Sequence, residues 1–492
     1  VVVSNPQPDV STHVSIEQDD SAPGEEPQIR SVARATIPPF SLRVFKLGPR
    51  EVDGSAPGTF DTGTGTALTR AAFRIQSDMP VVAYQFNPLE NVSVFSNDAS
   101  LLKPVEALIP STAELSDSYV VLGWPQTIAR SSDPATNFDE DLRAFLTLVG
   151  TQRETHVRIH TTARVIAGGP VPETEAGGVI EAVLGPFEVL NLETGDFGAD
   201  FTGTRIAADG PVVVFSGSEA SDAPRFDELS ERSCCADHLE EQLDPIRTAG
   251  QSFIATVSPN RMKALVGAGA EFAEVLPQPE YFRLIAATAL GARVQTTLAG
   301  HEQLELAEKG SFVDLTSTRD FAIWSDAPVM MMSVSPSQAA ASIPTILPGG
   351  DPSSLIVPPT EQFRSTYVFL TPDKYSFDFV RIIAEPATKI VFDGEPLETL
   401  EGCSSSALEL SGGSAAAANE LAGEWIVHTC QLSFPIIDST QTAPQNLRAG
   451  RQNDGVHRLA ASRPVGVLVD GFDAYVSYAY AGGTELEYIV PE

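Results

Sequence analysis

Residues Phe321-Ala-Ile-Trp-Ser-Asp-Ala-Pro328-Val-Met-Met-Met332 set a proline inside an apolar, strand-like run, and the same phrase returns three more times. It reads Phe73-Arg-Ile-Gln-Ser-Asp-Met-Pro80-Val-Val-Ala-Tyr84, then Thr204-Arg-Ile-Ala-Ala-Asp-Gly-Pro211-Val-Val-Val-Phe215, and last His457-Arg-Leu-Ala-Ala-Ser-Arg-Pro464-Val-Gly-Val-Leu468. Proline has no N–H to give a ladder, so each copy reads as a strand that starts just after its proline. Repetition at such spacing implies one structural unit copied along the chain.

Two further phrases recur in fixed order around it. Leu146-Thr-Leu-Val-Gly-Thr151 leads to His156-Val-Arg-Ile-His160, Phe282-Arg-Leu-Ile-Ala-Ala287 to Arg293–Leu298, and Phe379-Val-Arg-Ile-Ile-Ala384 to Thr388–Phe392. The N-terminal Val1–Asn5 and Thr12–Glu17 fit the same scheme. Each is a pair of short runs separated by a turn, which predicts a hairpin. Pro110, Pro245 and Pro359 each precede an aromatic-led run: Tyr119-Val-Val-Leu122, Phe253-Ile-Ala-Thr256 and Tyr367-Val-Phe-Leu370.

These phrases predict an all-β protein of four antiparallel units of about six strands each. The units span 1–116, 117–250, 251–365 and 366–492. The first lacks a leading strand, while Tyr475–Tyr478 and Glu485–Ile489 at the other end look spare. One solution is a propeller-like ring in which a C-terminal strand completes the N-terminal unit; tandem β-sandwiches are the alternative. Helix is expected in one place, a loop insertion over Asp222–Arg247 that contains Glu228–Arg232 and Asp237–Leu243. Asp19–Arg30 and the Ser/Gly/Ala-rich Ser405–Ala422 read as surface loops.

Composition narrows the partners. The formal net charge is −34, from 65 acidic against 31 basic residues, which disfavours nucleic acid and anionic membrane surfaces. No apolar run is long enough for a transmembrane helix, so membrane insertion is not expected. The scarcity of lysine beside arginine suggests a GC-rich, bacterial genome. The start at Val1, without a methionine or a basic-then-apolar leader, suggests an exported product that has lost its signal peptide. Among the four cysteines, Cys403 and Cys430 flank one loop and can close it as a disulfide, which indicates an oxidising compartment. The adjacent Cys234 and Cys235 can bridge each other, stay free, or pair with a partner chain.

Pro211-Val-Val-Val-Phe-Ser-Gly-Ser218, Cys234-Cys-Ala-Asp-His-Leu-Glu-Glu-Gln-Leu-Asp-Pro245 and Gly250-Gln-Ser-Phe253 together resemble the N-terminal domain of IgG-Fc-binding-protein-like proteins. Arg381-Ile-Ile-Ala384 and Gly471-Phe-Asp-Ala-Tyr-Val-Ser-Tyr478 are similar as well. The resemblance extends over most of the chain. It implies an extracellular binding module without catalytic residues. It does not imply antibody binding, because the Cys-rich modules beside the animal domain are missing here.

The residues themselves carry little reactive chemistry. His156 and His160 share a strand face with Arg158, which fits a solvated face better than a metal site. Cys234, Cys235, Asp237, His238 and Glu241 are the densest ligand-like group, yet no second half of a zinc site accompanies them. Asp237, His238 and Glu241 therefore stand as contact-loop candidates. Asp61-Thr-Gly63-Thr-Gly65 lacks the lysine and following helix of a phosphate loop. No cofactor is expected; calcium is the one candidate, at Asn137, Asp139, Glu140 and Asp141, or at Asp196 and Asp200. There is no nucleophile elbow and no metalloprotease helix.

The reading is an exported, non-enzymatic surface protein for adhesion, matrix association or binding of a protein or glycan ligand. The insertions 91–110, 222–245 and 402–422 would present its contacts. A self-associating subunit of an extracellular polymer is one alternative, and a carbohydrate-active hydrolase with dispersed carboxylates is the other.

Overall fold

The four proline phrases occupy one topological place. A computed structural model describes the chain except for residues 53–64, 88, 90–96, 111–113, 128–141, 197, 227–230, 233–234, 409–423, 439–446 and 487–492. Repeat 1 runs β1 (Val2–Asn5), β2 (Thr12–Asp19), β3 (Ile29–Ile37), β4 (Ser41–Val44), β5 (Ala67–Thr69), β6 (Phe73–Ser77), β7 (Val82–Asn87) and β8 (Asp98–Leu102). Repeat 2 runs β9 (Ser116–Val120), β10 (Ala144–Gly150), β11 (Thr155–His160), β12 (Val179–Leu184), β13 (Val189–Glu193), β14 (Arg205–Ala208), β15 (Val212–Ser221) and β16 (Asp237–Gln242).

Repeat 3 has β17 (Gly250–Ala255), helix α1 (Arg261–Gly267), β18 (Glu280–Ala286), β19 (Ala292–Thr296), β20 (Gln303–Leu306), β21 (Phe312–Ser317), β22 (Phe321–Val334) and β23 (Ser354–Val357). Repeat 4 opens with β24 (Arg364–Thr371), β25 (Phe377–Ala384), β26 (Ile390–Phe392), β27 (Glu395–Pro396), β28 (Cys403–Ala407) and β29 (Ile426–Gln431). It ends with β30 (Phe434–Ile437), β31 (Leu447–Arg451), β32 (Gly455–Asp473) and β33 (Val476–Ala481).

Four antiparallel sheets with the same strand order form the blades of a propeller: β4-β1-β7-β8, β13-β10-β15-β16, β21-β18-β22-β23 and β29-β25-β32-β33. Their registers match. Val2 faces Tyr84, Thr147 faces Phe215, Arg283 faces Met332 and Arg381 faces Leu468, each partner four residues past the proline of its repeat. The inner strands meet around the axis, β8 with β16, β16 with β23, β23 with β33, and β33 with β8. The ring is closed.

Each blade carries a flanking sheet: β3-β2-β6, β12-β11-β14-β9, β20-β19-β22-β17 and β27-β26-β32-β24. In repeats 3 and 4 a single long strand serves both sheets, and Pro328 and Pro464 sit where it crosses from one to the other. A residue without an N–H is tolerated at that handover, where neither ladder needs its donor. The turn before each proline is pinned by one side chain. Asp78, Asp209 and Asp326 accept the N–H groups of His13, His156 and Arg293 at 2.7, 2.8 and 2.8 Å, and Ser462 accepts that of Lys389 at 2.9 Å.

Burial explains the two sequence textures. Blade strands are covered on both faces, so β25 and β33 are buried throughout and show no alternation. Strands of the flanking sheets are half-exposed, so β11 alternates, with Val157 and Ile159 inside and His156 and Arg158 outside. The core lies between blades; Tyr84 and Phe86 of repeat 1 pack on Tyr478 and Tyr480 of repeat 4.

Three expectations are corrected. The paired runs β1/β2, β10/β11, β18/β19 and β25/β26 are not hairpins, because each member joins a different sheet. Their local alternation sets strand character but cannot name the partner. Asp237–Leu243 is not a helix in an insertion, and most of Glu228–Arg232 lies outside the described residues. Helix-favouring Leu, Glu and Gln there are overridden by tertiary pairing of β16 with β15. Finally, Tyr475–Tyr478 does not complete repeat 1. It lies at the turn into β33, which pairs with β32 of its own repeat, while the second spare segment passes at Leu486 beyond the described residues.

Candidate contact surface

Strand direction decides where the long connections gather. In every blade the second strand and the innermost strand both run antiparallel to the third. The connections entering the second strand, joining third to innermost, and leaving the outer strand therefore open on one end of the axis. Among the described residues, 121–127, 194–196, 198–204, 222–226, 256–279, 335–353 and 432–438 belong to this end, as does α1.

This end is built as a platform. Asn260 caps α1 by accepting the Lys263 N–H at 2.8 Å. Buried Arg261 then binds connection 335–353 through the carbonyls of Pro336, Gly349 and Asp351 at 2.8, 2.9 and 3.0 Å, and Ser335 Oγ at 3.0 Å. The same connection is tied to blade 4, since Gly350 N–H donates to the Asp473 carbonyl at 2.9 Å and Asp351 N–H to Ser477 Oγ at 3.0 Å. Beneath it, Leu265, Ala268, Ala341 and Ile343 pack on Phe377, Phe379 and Phe472.

Above this packed base the surface is partly apolar. Val266, Val275, Leu276, Ile346 and Ile436 are 40–48% exposed and come from α1 and the connections around it. Singly exposed apolar residues are ordinary, but several on one platform mark an interaction surface. Beside repeat 2, Pro125, Gln126, Thr127, Gly198, Asp222, Arg225 and Phe226 line a cleft of about 140 Å³.

The contact-loop candidates lie elsewhere. Asp237 and Glu241 are buried on β16 at the axis, and His238 stacks on Phe145 at 5.8 Å. Burial lowers the His238 imidazole to about 4. Glu241 accepts Ser100 Oγ–H at 2.9 Å, and Asp98 accepts Glu240 N–H at 3.2 Å and Ser354 Oγ–H at 3.1 Å. The axial strands are thus joined through side chains rather than a ladder. Burial raises Glu240 to about 7 and Glu241 to about 8, and it raises Asp98 well above the carboxylate range, helped by neighbouring Glu241. Buried Asp98 and Glu241 thus serve to join neighbouring axial strands, while His238 and Glu240 are half-buried beside them.

Cys403 and Cys430 are cross-strand partners on β28 and β29 and form a disulfide. Cys235 is also disulfide-bonded, and Cys234 lies outside the described residues. His156 is bonded to Asp209 at 2.7 Å on an exposed face, and His160 lies on the same strand. Asp196 and Asp200 are engaged by Arg164 and Arg283 at 2.9 and 2.7 Å, while 137–141 falls outside the described residues. Among the described residues no group of three or more His, Cys, Asp or Glu side chains is arranged to hold a metal, and no helix is long and apolar enough to cross a membrane.

The α1 platform was not singled out by sequence. Its only local signals were the Asn260 cap and the exposed Val275-Leu276 pair.

Comparison with known proteins adds one finding. A family model described as IgGFc binding protein matches residues 98–471, which is most of the chain. No curated protein and no solved structure matches it.

Proposed function

Because the chain belongs to the IgGFc-binding protein family, we propose that it is an exported binding protein that holds a protein ligand on the α1 end of its propeller. The carrying observation is the set of exposed apolar residues, Val266, Leu276, Ile346 and Ile436, on α1 and the connections around it, of which 335–353 is tied to α1 by Arg261. A preorganised apolar platform loses little ordering entropy on binding. Binding is favoured over hydrolysis because the buried axial carboxylates are engaged in joining the blades. The disulfides fit an oxidising, extracellular setting. Adhesion to a surface or matrix is the role such a module would serve.

The test is a biosensor panel of extracellular proteins, including mucin, matrix proteins and IgG Fc, with glycans as a separate arm. Leu276→Asp and Ile346→Asp should each weaken a captured protein at least tenfold, whereas Val183→Asp on the distant edge strand β12 should not. Equal loss in all three, or binding confined to the glycan arm, would overturn the reading.

A further inference from the structure

Arg283 and Arg381 hold the same place on the second strand of blades 3 and 4, but their surroundings differ. Arg283 uses all three of its nitrogens. Nε and Nη2 donate to Asp314 at 2.7 and 2.8 Å, and Nη1 reaches the Gly123 carbonyl and Asp200 of repeat 2. Asp314 stands directly across the ladder from Arg283, whereas the residue across from Arg381 is Thr429. Arg381 instead places Nε on Asp470 Oδ1 at 2.8 Å and Nη1 on the Thr256 carbonyl and hydroxyl at 2.8 and 2.9 Å. Its Nη2 and the second oxygen of Asp470 have no partner among the described residues. Both groups are deep in the fold, with side-chain exposures of 2% and 10%. A buried donor and a buried acceptor left over at one place call for a partner.

A small cavity opens beside these two groups. Arg381, Asp470, Glu280, Arg261, Ser333 and Ser335 stand in its wall, and it has about 10 Å³ of room for the centre of a water. One water needs about 10–15 Å³ by this measure, together with two to four polar partners. The partners are present. Arg381 Nη2 is a donor, Asp470 Oδ2 is an acceptor, and Glu280 Oε1 has a lone pair left after accepting Ser333 Oγ–H at 2.7 Å. Glu280 is held in position by Ser258, whose N–H and hydroxyl donate to Oε2 at 3.2 and 2.6 Å.

We infer that one water molecule is built into the junction of blades 3 and 4, accepting from Arg381 Nη2 and donating to Asp470 Oδ2 and Glu280 Oε1. It does for Arg381 what Asp314 does for Arg283. The cavity has no space for a second water or for the coordination shell of an ion. Guanidinium and carboxyl groups face each other across it, so neither sign of charge is favoured. Arg261, which ties α1 to connection 335–353, borders the same cavity. The water therefore links the seam between two blades to the base of the α1 platform, whatever that platform binds.

A crystal structure of the full chain, fine enough to place waters, tests this. One ordered peak should lie within about 3.2 Å of both Arg381 Nη2 and Asp470 Oδ2 in every independent copy. Crystals soaked in sodium bromide or rubidium chloride should give no anomalous peak at that place. A dry cavity, a peak bonded to only one of the two groups, or an anomalous signal there would each overturn the inference.

Discussion

Arg283 and Asp200 belong to different repeats, yet the guanidinium of one donates to the carboxylate of the other at 2.7 Å. The same side chain bonds the Gly123 carbonyl at 2.9 Å and Asp314 at 2.7 Å. Arg381, at the matching register in repeat 4, bonds the Thr256 carbonyl of repeat 3 at 2.8 Å and Asp470 at 2.8 Å. Gly123 and Thr256 both lie just past a leading strand. One buried cation per junction thus fastens each of these blades to the one before it. At the junction of repeats 4 and 1 the equivalent residue is Val2, and the Tyr84 hydroxyl takes over by bonding the Gly482 carbonyl at 2.6 Å.

Replacing Arg283 by methionine leaves Asp200 without its buried partner. Loss of one member of a buried pair costs about 3–5 kcal/mol, which urea unfolding should read directly. Arg283→Lys should recover little, because one ammonium cannot reach Gly123, Asp200 and Asp314 together. A loss below about 1 kcal/mol would show that the junction does not depend on this fork.

Asp326→Ala removes the acceptor of the Arg293 N–H. The bond lies near the surface, so the expected cost is about 1 kcal/mol. Exchange of the Arg293 amide should rise with little change elsewhere, and slow exchange in the variant would argue against the repeated turn anchor.

Acidity should stabilise the ring. Glu240 and Glu241 keep their protons in the fold up to about 7 and 8, whereas the unfolded chain releases them near 4.5. Their contribution is complete below that lower value and is lost as pH rises through the upper ones. Asp20 and Asp78 are held down to about 2 by their hydrogen bonds to Arg30 and His13, so they oppose this trend only in stronger acid. The urea midpoint should therefore be higher at pH 5 than at pH 9, and Glu241→Gln should flatten the slope. A midpoint that climbs with pH would contradict the assignment.

Non-reducing peptide mapping should find Cys403 linked to Cys430. Cys403→Ser should destabilise by about 3 kcal/mol, the scale for closing a loop of this length. Enhanced exchange should be concentrated on β28, which among the described residues pairs with β29 alone.

Much of this architecture was written in short phrases. The residue two before each proline, Asp78, Asp209, Asp326 or Ser462, is a local signal with a local job. What escaped notice depended on partners far along the chain. Asp237–Gln242 reads as polar and helical until Ser100 and Ser354 are brought beside it, and β10 and β11 read as a hairpin until β13 and β12 claim them. The α1 platform shows the same limit, since Val266, Leu276, Ile346 and Ile436 lie on separate connections that only strand direction collects.

The contact of β33 with β8 makes the four repeats a circle rather than a row. A row can fray from its ends, but a circle must be cut before any repeat can leave. Unfolding should therefore be concerted, and excising one repeat should cost the remaining three their shape. A circle also has no privileged starting point, so new termini opened between β16 and β17, with the old ones joined, should yield the same propeller.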